Sequence, residues 1–374
     1  MGQANPAISA MLAGRIEAGD FPSAVYVVAE RGEIIFADAL GEAVREPAQY
    51  AATLETIYDL ASLTKPLVTG LLCALFVERG LVELDGVLAD YLPEFAREDK
   101  SGLTVRQLLT HTSGLPAWRP LYLLCGGQRE KALSVIAAER LEYATGTRVV
   151  YSDLGFITLG FLLQRLAGIT LAELARLEIF EPLGLTRTFF NPERAWQTEV
   201  AACESGGNGH ERGMCAEEYD TPPPFGVWRE QTVWGEVHDG NAHFLGGAAG
   251  HAGLFSTAFE TLRLAAQFHA ATTRLLKAET CRLFRTNLTE GLDEARSPAW
   301  QLAATPASTA GPRLSPDSFG HLGFTGTSCW NDPHHERVLI LLTNRTHARP
   351  LPFVNINGVR RSFHTLAVEA LEAR

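Results

Sequence analysis

The chain has 374 residues, of which 46% are hydrophobic and 20% charged, and its formal net charge is −11. This composition predicts a soluble globular protein that is large enough to bury a substantial core. The negative charge argues against nucleic acid and anionic membrane surfaces as partners, because both repel an acidic protein.

The two ends of the chain carry the strand signals. A predicted helix at residues 10–18 is followed by two β-rich runs, 24–30 and 34–40, which flank a short turn and predict a hairpin. A further strand is predicted at 338–342, and a closing helix follows at 363–371. Strands from both termini predict an α/β (α+β) fold, in which one antiparallel sheet is flanked by helices.

Helical patterning fills the region between these ends. Apolar residues recur at helical spacing in five segments, 63–79, 105–109, 133–138, 157–166 and 171–179. The pattern breaks down at about 191–245, and a loop of this length is usually functional, so we expect it to lie over a cleft. The predicted organisation is a sheet domain from residues 1–60 and 246–374, with a mostly helical domain from 61–245 inserted in it.

Neither a membrane span nor a targeting segment is predicted. The longest apolar stretch is too short to cross a bilayer, and the N-terminus lacks a basic region followed by an apolar run. We therefore expect a cytoplasmic protein, or a periplasmic or secreted one if a signal was removed.

The six cysteines are scattered along the chain and do not form a disulfide framework. Cys203 and Cys215 lie in a polar, glycine-rich stretch. The sequence allows three interpretations of these two cysteines: reduced thiols, a disulfide, or a metal site that includes His210.

The most informative motif is Ser62-Leu63-Thr64-Lys65. Lys65 is one of only four lysines, against 28 arginines, and a desolvated lysine can accept a proton where an arginine cannot. Three residues apart on a helix, the two side chains share one face, which suits an amine that takes a hydroxyl proton. Pro66 is tolerated only in the first turn of a helix, so it predicts a helix start close to Ser62.

Two further motifs complete a candidate site. Tyr151-Ser152-Asp153 precedes an apolar helical run, and a tyrosine near a Ser–Lys pair can serve as a base or relay, because an ammonium lowers its pKa. The segment Gly320 to Thr327 is rich in glycines that allow the backbone to approach a ligand closely, as in a strand that lines a cleft.

In this order, the three motifs resemble the serine β-lactamase and penicillin-binding-protein superfamily, most closely its class C-like esterase and β-lactamase-related branch. The resemblance covers nearly the whole chain, and its most specific stretch is Arg106 to Leu115. The other matching segments are Tyr58-Asp59-Leu60-Ala61, Gly146-Thr147, Pro182-Leu183-Gly184-Leu185, Gly250 to Ser256, and Leu342-Thr343-Asn344-Arg345. The resemblance implies a β-lactamase/transpeptidase-like fold.

The resemblance also implies roles. Ser62 would be the acylated nucleophile, Lys65 its activator, and Tyr151 the base or relay that also assists deacylation. His321-Leu322-Gly323 would occupy the Lys-Thr-Gly position of the family. The backbone N–H groups of Ser62 and Phe324 would form the oxyanion hole.

One departure from the family pattern concerns the base. Asp153 stands where the family usually has Asn, and a carboxylate there would favour the ammonium form of Lys65. This would weaken Lys65 as a base and favour Tyr151 as the working base.

A second departure concerns substrate charge. His321 replaces the lysine that in the family helps to hold the carboxylate of a β-lactam, and a histidine is mostly neutral at neutral pH. Arg345 and Arg349 are the candidates for supplying the missing charge. The loop adds Phe225, Trp228 and Trp234 as candidate cleft residues.

His251 is a further candidate for lining the cleft. For His238, Asp239 and His243, cleft lining and hydrogen bonding within the loop are equally open readings. No zinc-ligand spacing is evident among them.

We therefore predict a serine hydrolase without metal or cofactor, working through an acyl-enzyme on Ser62. The predicted order of substrates is carboxylic esters, then β-lactams as in class C enzymes, then D-amino-acid peptides. No G-x-S-x-G, H-E-x-x-H or Walker A motif points to another hydrolase class.

Two rival functions are a silent binder of cell-wall peptide or a partner, and a zinc amidohydrolase built on Cys203, His210 and Cys215. A silent binder would be expected to lose Ser62, Lys65 or Tyr151, and the sequence retains all three.

Overall fold

The structure is a computed structural model that describes residues 2–219 and 228–374. Phe225, one of the predicted cleft residues, lies outside the described residues. The strands are β1 (Ser23–Glu30), β2 (Glu33–Val44), β3 (Tyr50–Ala51), β4 (Tyr58–Asp59), β5 (Phe189–Phe190), β6 (Leu254–Ser256), β7 (Arg296–Ser297), β8 (Trp300–Leu302), β9 (Phe319–Leu322), β10 (Ser328–Asp332) and β11 (Arg337–Thr343).

The helices surround the strands. They are α1 (Pro6–Glu17), α2 (Leu71–Glu78), α3 (Leu88–Tyr91), α4 (Val105–Leu109), α5 (Leu121–Leu124), α6 (Ala132–Ala138), α7 (Asp153–Ala167), α8 (Leu171–Ala175), α9 (Glu181–Leu183), α10 (Gly209–Glu218), α11 (Gly240–Phe244), α12 (Ala258–Ala265), α13 (Ala278–Leu283) and α14 (Asn357–Glu372).

An eight-stranded antiparallel sheet joins the two ends of the chain. Its order is β3-β2-β1-β11-β10-β9-β8-β7, and β1 pairs with β11 from Ala24 opposite Thr343 to Glu30 opposite Arg337. The predicted antiparallel sheet built from both termini is confirmed. A smaller sheet, β4-β6-β5, lies beside it and leads directly into the site.

Strand β1 is buried on both faces, because helices cover both sides of the sheet. Val25 and Val27 point into the larger core, which also contains α2 and α7. Tyr26 and Val28 point into a second core shared with α1 and α14. Side chains alternate along a strand, so each face of β1 contributes to a different core.

Capping side chains set two helix starts earlier than apolar spacing predicts. Asn5 caps α1 by accepting hydrogen bonds from the backbone N–H groups of Ala7 and Ile8, and Pro6 occupies the first turn. Ser152 caps α7 in the same way through Gly155 N–H. The cap places Asp153 in the first turn of α7, where it can enter the site.

Among the described residues, one helical stretch, Ala61–Glu78, is long and apolar enough to cross a membrane, and 83% of it is buried inside the protein. A bent pair of helices, Asp153–Ala167 and Leu171–Leu183, passes the same test only if counted as one span. The apolar residues of Ala61–Glu78 pack in the larger core, which accounts for its composition.

The segment predicted as a loop at 191–245 contains α10 and α11 and a 3-10 turn at Arg194–Glu199. The division into a sheet domain and an inserted helical domain remains a prediction. The three strands of the small sheet, β4, β5 and β6, come from widely separated parts of the chain, near residues 58, 189 and 254.

Candidate active site

Ser62 lies where the small sheet gives way to the buried helix. The preceding residue, Ala61, has a φ of +47°, which is uncommon for a residue other than glycine. Its N–H donates to Asp59 Oδ1 at 2.8 Å. Ser62 then sits on a 3-10 turn, Ala61–Leu63, that continues through the π-helical segment Lys65–Gly70 into α2. This strained entry presents Ser62 to a cleft.

Lys65 is fully buried and contacts three oxygen atoms. Its Nζ lies 3.0 Å from Ser62 Oγ, 3.0 Å from the His251 carbonyl oxygen and 2.7 Å from Asp153 Oδ1. The Tyr151 side chain also interacts with Nζ, so this ammonium has more oxygen neighbours than its three N–H donors can satisfy.

The charges around Lys65 favour its ammonium form. Burial lowers the pKa of Lys65, but the Asp153 carboxylate and the Tyr151 phenol outweigh burial, so this pKa lies above its ordinary value. Burial and Asp153 also raise the pKa of Tyr151, although Lys65 opposes them and Tyr151 contacts both Lys65 and Ser62. The resting site thus combines an ammonium, a protonated phenol and a carboxylate.

We predict that Asp153→Asn shifts the pH dependence of turnover. Removing the carboxylate lowers the pKa of Lys65, so its free amine forms at lower pH, and the acid-side midpoint of kcat should fall by about one pH unit or more. A pH–rate profile on p-nitrophenyl butyrate measures this midpoint. Asp85→Asn, which removes an exposed carboxylate 2.5 Å from Arg106, is the control. An unmoved midpoint in Asp153→Asn would contradict the electrostatic account.

A second carboxylate, that of Asp239, lies beside the first. Asp239 Oδ1 accepts from Ala242 N–H at the start of α11 and lies 2.8 Å from His251 Nε2. Asp239 also lines the cleft, so this residue both lines the cleft and makes hydrogen bonds within the loop. His238 lines the cleft and lies 2.8 Å from Glu204 Oε2. His243 is paired with Glu236 instead.

Asp153, Asp239 and His251 could hold a metal ion by distance, since their ligand atoms lie within 4.8 Å of one another. The Lys65 ammonium already lies against Asp153 and supplies positive charge there. Within the described part of the chain, this is the only such group, and it contains neither Cys203 nor Cys215. No disulfide joins those two buried cysteines there.

Gly323 brings β9 against the residues before Ser62. A Cβ at this position would lie 2.5 Å from the Leu60 carbonyl oxygen, so only glycine fits. Two threonine hydroxyls fasten the turn that follows: Thr325 donates to Asp59 O at 2.7 Å and Thr327 donates to Leu60 O at 3.0 Å. The next residue, Phe324, lines the same cleft as Ser62.

His321 carries no charge at neutral pH in this environment. Its side chain is buried, and Nδ1 lies 2.8 Å from the Leu322 carbonyl oxygen, so Nδ1 carries the proton. Burial, followed by the positive charges of Lys65 and Arg296, holds the pKa of His321 well below its ordinary value. His321 therefore lines the cleft as a neutral group.

The cleft has a volume of about 580 Å³ and is lined by Ser62, Tyr151, Asp153, His321 and Phe324 together with Arg345. The structure thus brings the predicted nucleophile, relay and strand residues together.

Two predicted cleft residues are placed differently, and their assignment as lining residues is corrected. Trp234 donates its indole N–H to Val200 O at 2.8 Å and packs beside Tyr50. Trp228 packs edge-on against Tyr122 at 5.6 Å. Neither tryptophan lines the cleft in the part of the chain that the structure describes. Both rings fill gaps between the loop and the body.

His251 also does not line the cleft. It is buried, and its carbonyl oxygen holds Lys65 from behind. Arg349, the alternative to Arg345 as a source of charge, lies against Gly19, away from the cleft.

Sequence reasoning missed two cleft arginines. Arg296 on β7 lies 6.0 Å from the Tyr151 ring and pairs with Glu294 at 2.6 Å. Arg360 on α14 donates to Gly323 O at 2.6 Å. Arg296 belongs to a two-residue strand with no pattern of its own, and Arg360 precedes the predicted start of its helix.

Comparison with known proteins identifies the family. The chain matches the Beta-lactamase family model over residues 8–357. It belongs to the beta-lactamase family. A protein of Escherichia coli K12 that carries the provisional name D-alanyl-D-alanine carboxypeptidase is 31% identical over 358 residues, which cover 88% of this chain and 79% of that protein.

Other members have different names. The N-acetylmuramyl-L-alanine amidase of Bacillus subtilis is 31% identical, with 91% of this chain and 80% of that protein covered. Two solved structures share the fold: the hydrolase EstCE1 (TM-score 0.71, 22% identity, 96% and 97% covered) and a class C β-lactamase from Rhodobacter sphaeroides (TM-score 0.71, 20% identity, 99% and 100% covered). This beta-lactamase family chain is a serine hydrolase, and its relatives' names span several substrate classes.

Proposed function

We propose that the protein forms an acyl-enzyme on Ser62 and hydrolyses amide bonds in peptides that carry a free carboxylate next to the scissile bond. The observation that supports this most is a pair of arginines in the same cleft as Ser62. Arg345 donates to Phe324 O at 2.6 Å, and Arg360 donates to Gly323 O. Both guanidinium groups therefore flank the candidate oxyanion donor.

These two arginines lack a counter-ion. Among the described residues, no carboxylate lies within 4.0 Å of either guanidinium, although both side chains line the cleft. Burial, with the nearby charge of Arg345, lowers the pKa of Arg360 to about 9. Buried cations are costly unless paired, and a guanidinium matches a carboxylate in shape. A substrate carboxylate would complete the pair.

This reverses the order of substrates predicted from the sequence, which placed uncharged esters first because His321 is neutral. The two arginines supply the charge that His321 lacks. The names of the two curated relatives, a carboxypeptidase and an amidase, describe hydrolysis of the same kind of bond. They support the proposal without deciding it.

In the proposed reaction, Ser62 Oγ attacks the amide carbonyl while its proton passes to the free amine of Lys65, the form that appears as the pH rises and that sets the acid-side midpoint. The N–H groups of Ser62 and Phe324 stabilise the oxyanion. Tyr151 donates its phenol proton to the leaving nitrogen and regains one from the Lys65–Asp153 pair. Water then attacks the ester by the same route and releases Ser62.

A peptide that ends in D-alanyl-D-alanine, compared with the same peptide as its C-terminal carboxamide, tests the proposal. We predict that kcat/KM for the acid exceeds that for the carboxamide by about tenfold or more, since a paired carboxylate contributes more than one kcal/mol. In Arg345→Gln, kcat/KM for the acid and for the carboxamide should become nearly equal. Arg345→Lys should keep part of the preference for the acid.

Arg349→Gln is the matched control, because this arginine lies outside the cleft, and it should keep the ratio. Equal rates on the acid and the carboxamide, with fast turnover of p-nitrophenyl butyrate, would contradict the proposal and return carboxylesterase to first place.

A further inference from the structure

The segment Thr110 to Gly114, part of the most specific sequence stretch, has no role in the acyl transfer described above. His111 is its unusual member. Its φ is +59°, a conformation that few residues other than glycine adopt, and its side chain is buried. The left-handed backbone allows the carbonyl oxygen and the imidazole of His111 to reach the same neighbouring segment.

His111 holds the chain on both sides of Tyr151. Its carbonyl oxygen accepts from Val150 N–H at 2.9 Å, and its Nδ1 accepts from Ser152 N–H at 3.0 Å. The imidazole also packs against the Tyr151 ring, with 4.7 Å between ring centres. Tyr151 is thus fixed at the residue before it, at the residue after it and along its ring.

The hydrogen bond to Ser152 fixes the tautomer of His111. Nδ1 accepts a hydrogen bond, so the proton is on Nε2, which is buried and has no partner in the described part of the chain. Burial, then the positive charges of Arg296 and Lys65, hold the pKa of His111 well below its ordinary value. A neutral imidazole keeps Nδ1 available as an acceptor, and a buried N–H without a partner is retained at a cost.

We propose that His111 is a positioning residue that sets the placement of the Tyr151 phenol relative to Ser62 and Lys65. It does so by accepting hydrogen bonds from the backbone on both sides of Tyr151. This inference rests on the acyl-enzyme function proposed above and assigns His111 no contact with substrate.

Two substitutions distinguish the role of Nδ1 as a hydrogen-bond acceptor from the packing of the imidazole ring. In His111→Asn, Oδ1 takes the place of Nδ1 on the same side-chain frame, and Asn tolerates a positive φ well. In His111→Ala, the acceptor is lost. Both are compared with Thr110→Val, which alters a neighbouring buried side chain whose hydroxyl bonds to Arg106 O and Thr112 Oγ1. The readouts are kcat and KM for p-nitrophenyl butyrate across pH, with thermal unfolding as the check on folding.

The proposal predicts that His111→Ala lowers kcat about tenfold or more, with KM within about twofold, and moves the pH midpoint, because the phenol no longer lies against Ser62 and Lys65. His111→Asn should keep at least about a third of kcat and the wild-type midpoint. If His111→Ala does not unfold cooperatively, His111→Asn decides alone. An Asn variant that loses as much as the Ala variant, or tenfold by itself, would overturn the proposal, as would an unchanged Ala variant.

A second readout does not depend on turnover. Ultraviolet difference titration of tyrosinate, with Tyr151→Phe subtracted, reports the pKa of Tyr151 directly. It should shift in His111→Ala and remain in place in His111→Asn. A wild-type protein that turns over neither the ester nor the D-alanyl-D-alanine peptide would contradict the proposed function, and this titration would still decide the role of His111.

Discussion

Ser62→Ala is expected to lower turnover of every substrate by about 10⁴-fold or more while the protein stays folded, because the acyl-enzyme cannot form without the hydroxyl. Ser62 is only partly buried, and Lys65 keeps its contacts with Asp153 and the His251 carbonyl oxygen. The free energy of unfolding should therefore change by less than about 1 kcal/mol. Steady-state kinetics and thermal unfolding measure the two effects.

Ser134→Ala is a suitable control, since this serine on α6 is exposed and its hydroxyl donates to the Lys131 carbonyl oxygen. Its turnover should equal that of the wild type. Ester or amide hydrolysis that persists in Ser62→Ala at more than a small fraction of the normal rate would show that another group is the nucleophile.

Lys65→Arg is expected to lower kcat by about 10²-fold or more, although the charge is kept. A guanidinium keeps its proton at neutral pH, and the proposed route needs Lys65 to accept the Ser62 proton and then pass it on. Arginine is also larger, and Lys65 is fully buried, so some loss of stability is expected as well.

Lys100→Arg provides the matched control for that steric effect. Lys100 is also buried, and its Nζ lies 2.5 Å from Asp99 Oδ2, but it is not in the cleft. Comparable unfolding temperatures for the two variants, with activity lost only in Lys65→Arg, would support a proton-transfer role. A near-normal rate in Lys65→Arg would mean that Lys65 acts only through its charge.

The sheet could be predicted from the sequence where its strands are buried on both faces. Strands β1 and β11 have long apolar runs because each contributes to two cores. Strands β7 and β8 have two or three residues each, so they carry too few side chains to form a period. They are strands only because a neighbour pairs with them.

The candidate site was predictable where residues follow one another at fixed spacing. Ser62 and Lys65 lie in one helical stretch, and Asp153 lies two residues after Tyr151. Arg296 and Arg360 reach the cleft from elements far away in sequence, and nothing in their local pattern indicates it. Trp228 and Trp234 were predicted to line the cleft and do not. The local sequence does not show which surface a large aromatic residue in a loop packs against, and the body of the protein suits it equally well.

The central claim is that catalysis passes through a covalent ester on Ser62. Rapid acid quench of the protein during turnover of p-nitrophenyl butyrate, followed by intact-protein mass spectrometry and peptide mapping, tests it most directly. The account predicts one added acyl group, located on the peptide that contains Ser62 and absent from Ser62→Ala. Turnover without any adduct, or with an adduct on a different residue, would contradict it.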